Sequence, residues 1–267
     1  MSDSLLFHKT FLHPTSSEWV VFVHGAGGSS SIWYKQIKAY KAHFNLLLVD
    51  LRGHGKSNEL LKGLMSNQYT FKAVTMDILR VLDHLKIQSA HFVGMSLGTI
   101  IVRNLAELAT DRVQSMVLGG AVTRLNTRSQ VLVKLGNLFK HIVPYMWLYS
   151  LFAYIVMPQR TQKESRHLFI REAKKLCQKE FKRWFILTAE VNPLMRYFKD
   201  RELPIPTLYL MGERDYMFIQ PVKEMVAVHQ ESHLLEIPDC GHVCNVERSD
   251  EFNNHSIAFI QKQIVAQ

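Results

Sequence analysis

A serine flanked by glycines is the first feature of this sequence that could do chemistry. Ser96 lies in the segment GMSLG, between Gly94 and Gly98; an apolar run precedes it and a helix-like run follows it. A serine on a tight strand-to-helix turn exposes its hydroxyl, and side chains two residues away on either side would collide there. The pattern predicts a nucleophilic serine. The alternative interpretation is an ordinary glycine-rich turn.

A serine hydroxyl is a weak nucleophile until a base accepts its proton and an acid orients that base. Two later segments supply candidates: Asp215 follows the apolar run TLYLMG, and His242 follows LLEIP. The order serine, aspartate, histidine suits loops that meet at one edge of a parallel sheet. We therefore predict Ser96 as the nucleophile, His242 as the base and Asp215 as the acid. Glu213 competes for the role of acid.

The segment HGAGG, residues 24–28, follows the apolar run VVFV. Its small residues allow backbone N–H groups to approach a substrate oxygen closely. We predict an oxyanion hole formed by the N–H groups of Ala26 and of Leu97, the residue after the predicted nucleophile. Their neighbours Gly25 and Met95 are predicted to contact the substrate. A plain glycine turn is again the alternative.

The elements that must position these residues alternate along the chain. Six apolar runs read as strands, at 18–24, 45–50, 90–93, 115–118, 207–211 and 234–237, with helix-like segments between them. Continuous apolar strands alternating with helices predict a mostly parallel sheet that is covered on both faces. The candidate residues follow predicted strands, where such sheets carry their chemistry.

This alternation stops over residues 123–200, which are helical in pattern. We predict an α/β core made of residues 1–122 and 201–267, with 123–200 inserted as a helical cap. Within the cap, residues 141–159 contain no Asp, Glu, Lys or Arg. Cap helices that line an apolar pocket are the favoured interpretation; contact with a membrane surface and a membrane span are the alternatives. Trp147 and Phe152 are predicted to contact the substrate.

The formal net charge of +9 is unevenly distributed. Residues 160–183 contain nine Lys or Arg and three Glu. The net charge of this segment is therefore two-thirds of the net charge of the chain. Such a run usually forms a solvated helix face, and weak docking of the basic cap on anionic lipid is the alternative. No nucleic-acid-binding motif accompanies the charge, so we predict no nucleic-acid partner.

Cysteine usage and the N-terminus both favour a reducing cytoplasm. Three cysteines in 267 residues are too few for a disulfide framework. The first residues lack the charged and apolar regions of a signal peptide. Cys240 and Cys244 flank His242, but they lack the spacing of a closed zinc site. We predict neither a metal nor an organic cofactor.

Taken together, these motifs resemble the α/β-hydrolase superfamily over nearly the whole chain. The resemblance rests on HGAGG, DLRGHGKS at 50–57, GMSLG, GERD and GHVCNVERSDEFN at 241–253, and it is greatest with small bacterial esterases and enol-lactonases that carry a cap. It implies eight mainly parallel strands, a cap inserted after the sixth, and a purely structural role for residues 52–55. Val243 occupies a position where carbon–carbon bond hydrolases of this fold often carry Trp.

The expected activity is hydrolysis of a carboxylic ester with a hydrophobic acyl or alcohol group, through an acyl-enzyme intermediate. A thioesterase, a lactonase and a carbon–carbon bond hydrolase would use the same residues. A ligand-sensing protein without catalysis is the alternative from another class.

Overall fold

The computed structural model describes residues 5–58, 69–124, 143–176 and 178–265. Cys177 and the part of the predicted cap at 125–142 lie outside the described residues. The described strands are β1 (His8–Phe11), β2 (Trp19–Val23), β3 (Asn45–Val49), β4 (Ala90–Met95), β5 (Val113–Gly119), β6 (Thr207–Gly212) and β7 (Ser232–Ile237). The described helices are α1 (Ile37–Tyr40), α2 (Phe71–His84), α3 (Leu97–Leu108), α4 (Tyr145–Val156), α5 (Lys163–Ala173), α6 (Gln178–Ile186), α7 (Thr188–Asp200), α8 (Ile219–Val226), α9 (Cys244–Glu247) and α10 (Ser249–Val265).

One sheet organises the chain, in the order β1-β3-β2-β4-β5-β6-β7. Strand β1 is antiparallel to β3, and every other pair is parallel. Each of the six runs predicted from the sequence is a strand, and β1 is a further strand that precedes the first of these runs. The sheet described has seven strands where the resemblance implied eight, a minor difference.

Apolar side chains alternate between the two faces of the sheet. Val21, Val23 and Phe92 pack on one face with α2 and α3, whereas Val20, Phe22 and Val93 pack on the other with α1 and α10. Both faces are therefore buried, as the continuous apolar strands predicted.

The chain reverses its winding direction at β2. It runs from β2 outward to β3, then crosses to β4 on the other side of β2. The carboxyl ends of β2 and β4 therefore flank the crevice where ligands bind in open α/β sheets. The HGAGG loop follows β2, and Ser96 follows β4.

In the described part of the chain between β5 and β6 there are four α-helices, α4 to α7. Among the described residues, no helix is long and apolar enough to cross a membrane. The apolar helix α4 has 12 residues, far fewer than the roughly 20 that a span requires.

Candidate active site

Ser96 occupies a sharp turn between β4 and α3. Its φ of 53° and ψ of −120° are unusual for a residue with a side chain, and such a conformation costs about 1–3 kcal/mol. The flanking glycines make the turn sterically feasible. A Cβ atom on Gly98 would collide with the carbonyl oxygen of Val23, and one on Gly94 would lie 2.9 Å from the carbonyl oxygen of Gly98. The glycine spacing noted in the sequence thus has a steric cause in backbone contacts.

The structure brings the three predicted catalytic side chains into one hydrogen-bonded line. Ser96 Oγ lies 2.9 Å from His242 Nε2, and His242 Nδ1 lies 2.8 Å from Asp215 Oδ2. Because the carboxylate accepts from Nδ1–H, Nε2 is left to accept the serine proton. Asp215 and His242 are buried, whereas Ser96 is partly exposed.

Glu213, the competing acid, has a different partner. Its carboxylate accepts a hydrogen bond from the backbone N–H of Asp239 at 3.1 Å. The ring of Phe218 packs on His242 with centroids 5.0 Å apart. The two carboxylates on this loop thus differ in direction, and Asp215 alone of the pair is hydrogen-bonded to His242.

The HGAGG loop passes directly beside Ser96. A Cβ on Gly25 would lie 3.1 Å from the Cβ of Ser96. The loop turns tightly, with the Gly28 N–H donating to the Gly25 carbonyl oxygen at 3.1 Å and Gly27 at φ +67°. Within the described part of the chain, the N–H groups of Ala26 and Leu97 have no hydrogen-bond partner. Both remain available to an incoming acceptor.

Two buried histidines hold this loop. No separate prediction for His24 followed from the sequence, and the resemblance implied a purely structural role for residues 52–55, which include His54. His24 donates from Nδ1 to the Gly25 carbonyl oxygen at 2.7 Å and accepts the Leu51 N–H at Nε2. His54 accepts the Gly27 N–H at Nε2, 2.9 Å away, and its Nδ1 donates to the Arg52 carbonyl oxygen. The loops meet because β2 and β3 are neighbours.

The neutral imidazole suits the position of His54. Burial, reinforced by the nearby His24, lowers the pKa of His54 to about 3. Burial also lowers the pKa of His24. Neutral His54 can accept a hydrogen bond at Nε2, whereas a protonated ring would present a second donor to the Gly27 N–H. The loop at 52–55 is therefore tied directly to the HGAGG loop.

Three helices of the predicted cap reach these loops. The Tyr149 side chain on α4 packs against Gly27. Glu172 on α5 accepts a hydrogen bond from Ser29 Oγ at 2.7 Å, and Trp184 Nε1 on α6 donates to the Arg52 carbonyl oxygen at 3.0 Å. Tyr149 is buried, yet its hydroxyl has no hydrogen-bond partner among the residues described.

The four residues predicted to contact the substrate differ in their distance from Ser96 and in their exposure to solvent. Gly25 lies beside Ser96. Met95 is buried beneath the turn, with its sulfur against Gly119. Trp147 is 74% exposed, and Phe152 is 39% exposed and packs near Phe169. The prediction for Trp147 is not supported because the phase of α4 directs it outward and directs Tyr149 inward.

The cysteine pair beside His242 forms neither a disulfide nor a metal centre in the described structure. Cys240 and Cys244 are buried free thiols, and burial raises the pKa of both. Within the described ranges, no group of three or more His, Cys, Asp or Glu side chains is arranged to hold a metal ion.

Comparison with known proteins agrees with this architecture. A family model described as "alpha/beta hydrolase fold" matches residues 18–147. The chain is 24% identical to a putative carbamate hydrolase RutD of Acinetobacter baylyi, over 95% of this chain and 97% of that protein. It is 23% identical to 3-oxoadipate enol-lactonase 1 of the same organism, over 90% and 87%.

A solved structure shows the same fold. The enol-lactonase from Burkholderia xenovorans superposes with a TM-score of 0.79 at 21% identity, covering 96% of each chain. The sheet order, the turn at Ser96 and these similarities lead to one conclusion: the chain has the α/β-hydrolase fold.

Proposed function

We propose that this protein is a serine hydrolase that cleaves a carboxylic ester with a hydrophobic acyl or alcohol group. The observation that carries the proposal is the line from Ser96 Oγ through His242 to Asp215, with hydrogen bonds of 2.9 and 2.8 Å. This is the arrangement by which a serine hydroxyl becomes nucleophilic at neutral pH. The position of these three side chains supports the proposal too, because they lie at the carboxyl ends of the parallel strands, where such sheets carry their chemistry.

The first half-reaction forms an acyl-enzyme. Ser96 Oγ attacks the ester carbonyl carbon while His242 Nε2 takes its proton, and the carbonyl electron pair moves onto oxygen. The tetrahedral intermediate then collapses, and the alcohol leaves with the proton from His242. Asp215 holds the imidazole in the required tautomer and stabilises its protonated form.

The backbone N–H groups of Ala26 and Leu97 would donate hydrogen bonds to the oxyanion. Leu97 opens α3, whose amino-terminal dipole also favours negative charge. One such donor typically contributes about 3–4 kcal/mol to transition-state stabilisation. In the second half-reaction, His242 deprotonates a water that attacks the acyl carbon, and Ser96 leaves with the proton returned by His242.

Residues 123–200 would act as the cap that selects the substrate. The contacts of Tyr149, Glu172 and Trp184 with the loops beside Ser96 support this role. The unpartnered hydroxyl of Tyr149 is the polar cap group nearest to Gly27, so we assign it a contact with a substrate oxygen. The apolar character of α4 favours a hydrophobic ester. The relatives include proteins named as lactonases and as a putative carbamate hydrolase. Lactones and carbamates are therefore included among the substrates to be tested.

We place the reaction in the cytoplasm, because Cys240 and Cys244 are unpaired thiols and such thiols persist in reducing compartments. No metal or organic cofactor is required by the mechanism. Periplasmic or extracellular location of the native protein, shown by fractionation, would contradict this assignment.

Activity-based labelling tests the proposal. A fluorophosphonate should label the purified protein on Ser96, as located by peptide mass spectrometry, and Ser96→Ala should abolish both labelling and turnover. Ser17→Ala, at an exposed serine, is the matched control and should change neither. A panel of p-nitrophenyl esters, lactones, thioesters and carbamates then identifies the bond. Absence of labelling in folded protein would instead favour the non-catalytic, ligand-sensing alternative.

A further inference from the structure

Helix α4 presents an apolar stripe to solvent. Trp147, Leu151 and Tyr154 are 74%, 56% and 54% exposed. Their spacing of four and three residues places them on one helix face. The outward face of a surface helix is normally polar, but α4 contains no charged residue. Exposed apolar patches of this kind mark interaction surfaces.

The direction of this stripe follows from the opposite side of the helix. Tyr149, Ala153 and Val156 are the buried residues of α4, about half a turn away from the stripe. Tyr149 packs against Gly27 in the loop after β2. The stripe therefore faces away from the α/β core.

Helix α5 repeats this geometry with basic residues. Lys163, His167 and Ile170 of α5, and Lys174 directly after its last residue, are spaced by four, three and four residues. The three basic side chains are exposed and Ile170 is half-buried. Glu172, about half a turn away, is buried and bonded to Ser29. The basic face of α5 therefore also points away from the core.

The two outward faces belong to one surface. Helices α4 and α5 pack on each other through Phe152 and Phe169, and the Arg166 guanidinium lies 4.4 Å from the Tyr154 ring centroid. Their inner faces contact residues of one loop, Gly27 and Ser29. Because the inner faces of α4 and α5 both point toward this loop, their outward faces point in the same direction, away from the core.

The positive charge on this surface is largely uncompensated. Glu172 is buried and pairs with Arg171 and Lys175, and Glu164 pairs with Lys35. Neither Lys163 nor Lys174 has an ion-pair partner among the described residues. An aromatic and aliphatic stripe beside free lysines complements an anionic, partly apolar surface.

We propose that the outward faces of α4 and α5 dock on an anionic phospholipid bilayer. Trp147, Leu151 and Tyr154 enter the interfacial region, where Trp and Tyr are favoured, and Lys163 and Lys174 contact the lipid phosphates. Docking through these faces leaves the inner faces in contact with the core. This inference is independent of the proposed ester hydrolysis, because binding can be measured without turnover.

Co-sedimentation with vesicles tests the proposal. The full chain should bind vesicles of phosphatidylcholine and phosphatidylglycerol at low salt, bind pure phosphatidylcholine far less, and be released as salt rises. Lys163→Gln/Lys174→Gln should weaken partitioning by about 25-fold, from roughly fivefold per lysine. Leu151→Ser/Tyr154→Ser should weaken it at least tenfold. Lys72→Gln/Lys262→Gln is the charge-matched control and should bind as the parent does.

Trp147 provides a second readout. It is the most exposed of the tryptophans, since Trp33 and Trp184 are buried and Trp19 is half-buried. Its emission should shift to the blue on anionic vesicles, and Trp147→Phe should remove the shift. Absence of binding at low salt, or equal binding by the two test variants and the control, would overturn the proposal. So would self-association that Leu151→Ser/Tyr154→Ser abolishes without any vesicle binding, because the surface would then join two protein copies.

Discussion

The Tyr149 side chain occupies the space that any side chain at Gly27 would need. The nearest neighbours of a Cβ atom built on Gly27 are the hydroxyl oxygen and ring carbons of Tyr149. Gly27 belongs to the loop after β2, whereas Tyr149 belongs to α4, so this contact joins the predicted cap to the loop beside Ser96. It also leaves a cap hydroxyl close to the predicted oxyanion hole.

This contact predicts a coupled effect on stability. Gly27→Ala should lower the free energy of unfolding, because the new methyl group meets Tyr149 and a φ of +67° costs an alanine about 1–2 kcal/mol. Tyr149→Leu vacates the space, so the double variant should be more stable than the sum of the single effects, by at least about 0.5 kcal/mol. Urea unfolding of the four proteins measures the coupling. Strictly additive effects would contradict the contact.

The backbone strain at Ser96 predicts an inversion of the usual ranking of alanine and glycine. Both Ser96→Ala and Ser96→Gly should lack activity, but the glycine variant should be more stable by about 1 kcal/mol, since glycine tolerates positive φ. At exposed Ala258 in α10, the change to glycine should instead cost about 1 kcal/mol. Thermal and urea unfolding measure both comparisons. A less stable Ser96→Gly protein would argue against a strained turn.

His54 is predicted to position the HGAGG loop through its bond to the Gly27 N–H. His54→Ala leaves that donor without a partner, at a cost of about 1–3 kcal/mol, and should lower kcat more than it raises KM. His54→Gln places an amide oxygen near the lost nitrogen and should recover much of the rate. Steady-state kinetics on the ester identified by the panel distinguish the two variants. Equal losses in both would mean that the role of His54 is packing alone.

The same residue predicts a pH dependence of stability. His54 has a pKa of about 3 in the folded protein against about 6.5 when unfolded. The unfolded chain therefore binds more protons between these values, and stability falls as pH falls through that window. The loss from His54 between pH 7 and 5 should be about 2 kcal/mol.

Denaturant unfolding at several pH values measures this slope. His91 should contribute in the same direction, since burial lowers its pKa to about 4. His54→Gln should show a shallower slope than the parent over pH 7 to 5. An unchanged slope in that variant would show that His54 is not the group responsible.

Part of the fold and site could be read from local patterns. The strands were predictable because buried parallel strands are continuous apolar runs, and Ser96 stood out because its turn needs glycine at both Gly94 and Gly98. The missed features depend on contacts across the chain. His54 lies in the segment that resembles a structural loop, but its hydrogen bond to the Gly27 N–H could not be predicted, since that bond depends on β2 and β3 being neighbours. Among the aromatic residues of α4, only the packing of the helix decides which ring faces inward.

The sequence alone therefore determined the succession of strands and helices along the chain and the types of side chain that follow the strands, because hydrophobic periodicity and glycine spacing are local properties. Tertiary structure decided the rest. It set the 2.9 Å between Ser96 and His242, tied His54 to the Gly27 loop, and turned Tyr149 toward the core while leaving Trp147 in solvent. These relationships depend on how helices and loops that are distant in sequence pack against one sheet. No local sequence pattern specifies such long-range packing.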